Sequence, residues 1–301
     1  MPERKWVSKS VRDNTFVDIK LISKLDDSLQ KSENQLVQDF GDWQRVVSED
    51  RTQEIPKIRF EDVIGPQGLL PPTQKKIAEF YDFYRNMPPP PFAFPSKTEM
   101  SKVRLTDLGS VMDVAFILEA IDSLAETRRS PLRVLEIGGG YGRLVDAFSA
   151  NFEGEFEWVM VDAIPSSLAG AWGHLSLVHG LQCNVWLGGE IIRSSTTPST
   201  RRKVHILGSW ELESWFKAQH SCSLFVNVES FQEMNANQVA FYLEFLDRVT
   251  DIGSIFYESN SRDYFNRSPI QPSMKWVLER TGNTPRSWTA DHPTNLYSRQ
   301  N

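Results

Sequence analysis

Cysteine is scarce in this chain of 301 residues: Cys183 and Cys222 are the two present. Two cysteines cannot build a disulfide scaffold, and their spacing is not that of a metal site, so both are expected as thiols in a reducing compartment. Long apolar runs are missing too. No stretch reaches the roughly 18 residues of a membrane span, and the first residues, Met-Pro-Glu-Arg-Lys-Trp, lead into polar sequence rather than a signal segment. Basic charge is not in excess. Lys plus Arg number 33 against 39 Asp plus Glu, a net charge of -6, and a dedicated nucleic-acid binder would show a basic stripe instead. The short clusters Arg128-Arg129 and Arg201-Arg202-Lys203 read as solvated loops. The five histidines, His174, His179, His205, His220 and His292, form no cluster with metal-ligand spacing. These absences predict a cytoplasmic protein with no nucleic-acid partner, no membrane segment and no metal. They leave its oligomeric state open.

A hydrophobic content of 40% over this length suffices for one full α/β domain and a smaller accessory region. Nine tryptophans are among the aromatics. Most are expected in the core, although such rings can also stack on sugar faces. No internal repeat is present. Residues 1–128 show helical spacing without strands, at Ile19, Ile22, Leu25 and Leu29, and again at Leu36, Phe40, Trp43 and Val47. Ile77, Phe80, Tyr81 and Tyr84 mark another helix, ended at Met87 by the run Pro88 to Pro91. Val111, Ala115, Leu118 and Ile121 mark a long helix opened by Thr106 or Asp107 as cap. This helical region is expected to cover the mouth of a second domain, residues 129–301.

From Leu132 the period changes. Strands are expected at 133–137, 158–161, 203–207, 224–228 and 254–257, with helices between them, which calls for a parallel sheet covered on both faces. Residues 181–202, with Gly188-Gly189 and a Ser/Thr-rich stretch, read as a loop insertion. The tail from Ser287 to Arg299 is expected to supply antiparallel hairpin strands.

The most informative stretch is Arg-Val-Leu-Glu-Ile-Gly-Gly-Gly-Tyr-Gly-Arg-Leu-Val at 133–145. An apolar strand runs into glycines and then into a helix. Glycines let a ligand approach the backbone closely, because no Cβ intervenes. A dinucleotide turn wants Gly-x-Gly-x-x-Gly, and after Gly138 and Gly140 its third glycine would fall at Arg143. A phosphate loop is excluded as well, since no Gly-Lys-Ser/Thr follows. What stands is acidic-x-Gly-x-Gly-x-Gly, made by Glu136, Gly138, Gly140 and Gly142, with Gly139 and Tyr141 between them. This pattern resembles the first motif of class I S-adenosylmethionine-dependent methyltransferases.

The next strand, Glu157-Trp-Val-Met-Val-Asp162, ends in a carboxylate about 20 residues on, where a doubly wound fold places the acid that binds ribose hydroxyls. Asp162 with its neighbour Ala163 is therefore a candidate for the ribose, against the plainer reading of a turn aspartate before Ile164-Pro165. Ser209 and Trp210 follow the third strand, where an adenine would lie. Trp210 either stacks on that ring or packs at a helix start. Tyr141 and Arg143 either close over the ligand's far end or face solvent. Beyond the strand 224–228 comes Glu229-Ser-Phe-Gln-Glu-Met-Asn235. A helix cap at Asn235 or Asn237 explains the asparagines, but not Glu229, Gln232 and Glu233 together.

On Glu-Ile-Gly-Gly-Gly-Tyr-Gly at 136–142 and Asn-Val-Glu-Ser-Phe-Gln-Glu-Met at 227–234, the sequence resembles the sugar O-methyltransferase family within that superfamily. The 162–165 turn, with one extra residue, and Trp210-Glu-Leu-Glu213 fit as well. The resemblance covers about residues 130–260, and the 181–202 segment departs from it. It implies a Rossmann-like α/β fold with a mostly parallel doubly wound sheet, S-adenosylmethionine as cofactor, and a sugar or glycan acceptor. Such enzymes tailor polysaccharides or glycosylated natural products. In-line transfer to a sugar hydroxyl calls for positioning and for a general base. Glu233 is the first candidate and Glu229 the second, either of which could bind sugar hydroxyls instead. Asn227 and Gln232 would orient the acceptor, and His205 and His292 are weaker candidates for the base. The rival readings are a methyltransferase with a non-sugar acceptor, a nicotinamide-dependent oxidoreductase, and a non-catalytic binding module of the same fold.

Overall fold

The structure, a computed structural model, describes residues 19–31, 105–123, 131–176, 181–194, 201–218, 221–261, 270, 272–283 and 292–300. The helices expected around Leu36 to Val47 and Ile77 to Met87, and the proline run, lie outside them.

Nine strands are present among these residues: β1 Leu132–Ile137, β2 Phe156–Asp162, β3 Gln182–Leu187, β4 Glu190–Arg193, β5 Arg202–Gly208, β6 Cys222–Val228, β7 Thr250–Ser259, β8 Trp276–Asn283 and β9 Pro293–Arg299. They form one sheet in the order β4-β3-β5-β2-β1-β6-β7-β9-β8. From β3 to β7 every neighbouring pair is parallel, and the two margins are antiparallel hairpins. Val159, Met160 and Val161 in succession are fully buried, as expected of a central parallel strand covered on both faces.

The helices are α1 Ile19–Gln30, α2 Leu105–Ser123, α3 Arg143–Asn151, α4 Pro165–Leu175, α5 Leu212–Ala218 and α6 Ala236–Val249. On one side of the sheet Leu25 of α1, Ile117 of α2, Val145 of α3 and Leu168 of α4 share an apolar core with Val134, Trp158 and Val226. On the other, Trp215 of α5 and Leu246 of α6 pack on Leu135, Val159 and Phe225. This is a three-layer, Rossmann-like α/β fold with a mostly parallel sheet, as expected.

Three details differ from expectation. Residues 181–193 are not a loop: β3 extends the parallel sheet beside β5 and turns back through Gly188-Gly189 into β4. The first arm of the C-terminal hairpin is β8, upstream of the expected tail. Thr106 and Asp107 lie inside the first turn of α2 rather than before it. The cap on α6 is Asn235, whose side chain accepts the Gln238 N–H at 3.0 Å while the Gln238 side chain accepts the Asn235 N–H at 2.9 Å. Cys183 and Cys222 are both buried free thiols, and no described helix is long and apolar enough to cross a membrane.

Candidate functional site

The chain runs outward from β1 through β2 to the β3–β4 margin, then returns to the other side of β1 at β6. Beyond the carboxyl ends of β1 and β6 this reversal opens the crevice in which α/β sheets bind ligands. Ile137 pairs with Asn227, so the glycine turn and the segment 229–234, here the β6 loop, leave the sheet side by side.

The glycine turn is pinned from below. The N–H groups of Gly138 and Gly139 reach the Val161 carbonyl at 2.8 and 3.1 Å. The Gly140 N–H donates to Asp162 Oδ2 at 2.8 Å. Gly138 has φ +78°, and a Cβ there would stand 2.0 Å from Ser230 Oγ, so the β6 loop presses directly on the turn. Gly140 has φ +52°, and a Cβ there would meet nothing within 4 Å. Among the described residues the turn is therefore closed toward the protein at Gly138 and open at Gly140.

Carboxylates converge here. Glu136 is buried and its Oε2 accepts the Trp158 indole N–H at 2.8 Å. Burial pushes its carboxyl up to about 7, against the Trp158 bond and the Arg143 charge. Asp162 accepts from Gly140 and, at 2.9 Å, from Ile164. Burial lifts it to about 6, opposed by the N–H groups of Ile164, Gly140 and Ala163. Asp162 thus ties the β2 turn to the glycine turn, and its carboxylate has acceptor capacity beyond these three N–H groups.

Arg143, the first residue of α3, meets Glu229 across the crevice, Nη2 to Oε2 at 2.5 Å. Burial works against the guanidinium charge, and the Glu229 carboxylate more than restores it. Glu229 is the one non-glycine residue with positive φ among those described, at +61°. Such a backbone costs roughly 1–3 kcal/mol and marks functional loops more than structural ones. Its N–H donates to the Ser259 carbonyl at 2.8 Å, and its Oε1 lies 4.0 Å from His292 Nε2. His292 is fully buried, with Nδ1 3.0 Å from Ser259 Oγ.

Glu233 ends the short 3₁₀ turn Phe231–Glu233 and is exposed. Partial burial and the charges of Glu229 and Asp162 push its carboxyl up toward about 7, with Arg143 opposing. Because the side chain reaches water, solvent screens part of that push. Asn227 and Gln232 are occupied within the protein. Asn227 donates to the Ile137 carbonyl at 2.9 Å and accepts the Phe231 N–H at 3.1 Å. Gln232 Oε1 accepts the Ser261 N–H at 2.6 Å. Both brace the loop that presents Glu233.

Beyond β5, Ser209 is buried and bonds the Tyr242 hydroxyl, which burial pushes up to about 12. The Trp210 ring lies over Gly208, where a Cβ would stand 2.2 Å from it, and its N–H donates to Ser28 Oγ at 2.9 Å. That is the helix-start packing expectation, with the indole tied to α1. His205 lies in mid-strand, paired with Val159 and away from the carboxyl ends. Its Nδ1 accepts the Trp186 N–H at 3.1 Å, so its proton sits on Nε2, 3.0 Å from Glu157 Oε1. His205 holds Glu157 down to about 2 and is removed from the candidate bases.

Asp113 and Ser259 were not anticipated. Asp113 sits fully buried in α2, accepts the Tyr257 hydroxyl at 2.7 Å, and acts electrostatically on Glu136 and Arg143. Its signal was a carboxylate between apolar Met112 and Val114, on a helix that also carries Asp107, Glu119 and Asp122. Ser259 ends β7 with no motif around it.

No protein-family model and no curated protein matches the sequence. Solved structures that the chain matches include an O-methyltransferase from Bacillus cereus in complex with SAH, at 11% identity over 86% of this chain and 100% of that one, TM-score 0.41. A SAM-dependent methyltransferase from Aquifex aeolicus shares 14% identity over 60% of this chain and 88% of its own, TM-score 0.36. An rRNA methylase from Streptococcus thermophilus shares 9% identity over 62% and 96% of the two chains, TM-score 0.40.

Proposed function

We propose that this chain is an S-adenosylmethionine-dependent O-methyltransferase acting on a sugar hydroxyl. The observation that carries the donor half is the glycine turn at the topological switch. It is locked to Asp162 at Gly140 N–H, yet open, among the described residues, where a Cβ on Gly140 would project. Glu136 to Gly142 would hold the donor's backbone-facing side, Asp162 and Ala163 its ribose, and Ser209 with Tyr242 the edge of its base. When bound, S-adenosylmethionine supplies an electrophilic methyl on a sulfonium centre. The protein's own task is then to orient the acceptor and take a proton.

For that proton, Glu233 is better placed than Glu229. In the ligand-free chain Glu229 is paired with Arg143, whereas Glu233 is exposed and its proton affinity is lifted toward neutrality. Asp162, Glu229 and Glu233 are carboxyl groups that can hydrogen-bond hydroxyls. That supports a polyol such as a sugar. The sugar itself rests on the resemblance of residues 227–234, and the setting would be polysaccharide or glycosylated natural-product biosynthesis. The test is calorimetry with S-adenosylhomocysteine and with NAD. S-adenosylhomocysteine should bind and NAD should not, and Asp162→Ala should weaken binding more than about tenfold, as loss of charge-assisted bonds does. Tight NAD binding without S-adenosylhomocysteine binding would sink the proposal. Donor binding without methylation of any tested glycan, nucleotide sugar or glycoside would remove the sugar half alone.

A further inference from the structure

Arg143 follows the glycine turn directly and Glu229 opens the β6 loop, so their ion pair spans the two walls of the crevice. The other ionisable groups acting on this neighbourhood include the acids Glu136, Asp162, Glu233 and Asp113, each negative once ionised. A ligand that carries a carboxylate is repelled by them in that form unless it reaches Arg143. Glu229 already holds that guanidinium, at 2.5 Å and from a left-handed backbone that an ordinary glutamate avoids.

We propose that Glu229 and the α-carboxylate of the donor's amino-acid end compete for Arg143. Glu229 is thereby a built-in surrogate that sets donor affinity and specificity. This rests on the methyltransferase reading above. A guanidinium presents its donors as a planar fork that matches one carboxylate well. Two carboxylates on the same fork repel each other, so a second must displace or weaken the first. Glu229 has somewhere to turn, because His292 Nε2 lies 4.0 Å from its other oxygen. The left-handed backbone at Glu229 is the kind of strain that collects at ligand clamps.

The test compares two ligands by calorimetry at fixed salt. S-adenosylhomocysteine carries the amino-acid end, and 5′-methylthioadenosine lacks it. Glu229→Gln should tighten S-adenosylhomocysteine about fivefold or more and leave 5′-methylthioadenosine within about twofold, because only the first ligand meets the competitor. Arg143→Ala should weaken S-adenosylhomocysteine more than about tenfold and again spare 5′-methylthioadenosine. In the Arg143→Ala background the gain from Glu229→Gln should differ from that in the wild-type background, the non-additivity expected of one shared partner, and equal gains in the two backgrounds would overturn the competition. Unchanged or weakened S-adenosylhomocysteine binding in Glu229→Gln, with 5′-methylthioadenosine still bound as in the wild type, overturns the competition. Loss of 5′-methylthioadenosine binding in that variant would mean a damaged site. Glu229→Asp then decides: its shorter side chain should also tighten S-adenosylhomocysteine, and no change would overturn the proposal. Failure of both ligands on the wild-type chain would instead sink the methyltransferase reading.

Discussion

Three side chains of one chemical type are set to different tasks by their surroundings. Glu136 is buried on an indole N–H, Glu229 is clamped on a guanidinium, and Glu233 reaches water beside both. If Glu233 is the base, Glu233→Gln should lower kcat more than about tenfold, the scale of general-base catalysis, with donor affinity nearly unchanged. Its ionised form is the active one, so kcat/KM should fall as pH drops through the interval between 4.5, the ordinary glutamate value, and about 7. A pH–rate profile that stays flat there, or wild-type turnover in Glu233→Gln, would remove it. The glycines make a second contrast. Gly138→Ala forces a Cβ against Ser230 at positive φ, and should cost about 1–3 kcal/mol in denaturant unfolding. Gly140→Ala meets no atom of the described residues, so it should cost only about 1 kcal/mol for its backbone. That same variant should lose most of its S-adenosylhomocysteine affinity. Equal effects of the two variants on binding and stability would contradict the open face at Gly140.

Among the elements, α6 shows how closely local sequence can specify structure. Its reciprocal box between Asn235 and Gln238 starts the helix directly after the β6 loop, so the cap also ends the segment that carries Glu233. Asn235→Ala should destabilise the fold by about 1 kcal/mol, read as a shifted urea midpoint, with Glu233 chemistry altered less than stability. The β3–β4 hairpin was harder to read. Two glycines between short apolar runs are a hairpin signal. The Ser/Thr-rich residues after it drew the whole segment toward a loop, and exposed Glu190 and Ile191 gave no alternating pattern. Its place was settled by pairing with β5, a contact with no local trace.

For the molecule as a whole, α1 and α2 belong to the same apolar core as α3 and α4. Ser28 of α1 accepts the Trp210 N–H and donates to Glu211 Oε1 at 2.8 Å, and Glu211 in turn accepts the Gly188 N–H at 2.7 Å. We propose on this basis that the helical region folds together with the sheet as one cooperative unit. Leu25 is fully buried, and Leu25→Ala should cost about 2–5 kcal/mol in a single unfolding transition. A separate early transition, with the sheet's unfolding unmoved, would show that α1 is an appendage.

What the sequence determined by itself was local: strand and helix periods, the glycine turn, the carboxylates at strand ends and a cap at Asn235 or Asn237. Each is written in residues that are neighbours along the chain, where backbone geometry and side-chain spacing suffice. The tertiary structure decided everything that depends on residues far apart meeting in a buried place. It took His205 out of the site by giving it Trp186 and Glu157. It brought His292 and Ser259 together, bonded Asp113 to Tyr257, and closed Arg143 onto Glu229. Burial and charge at a point in space set what a carboxylate can do, and the chain order of the residues does not carry that information.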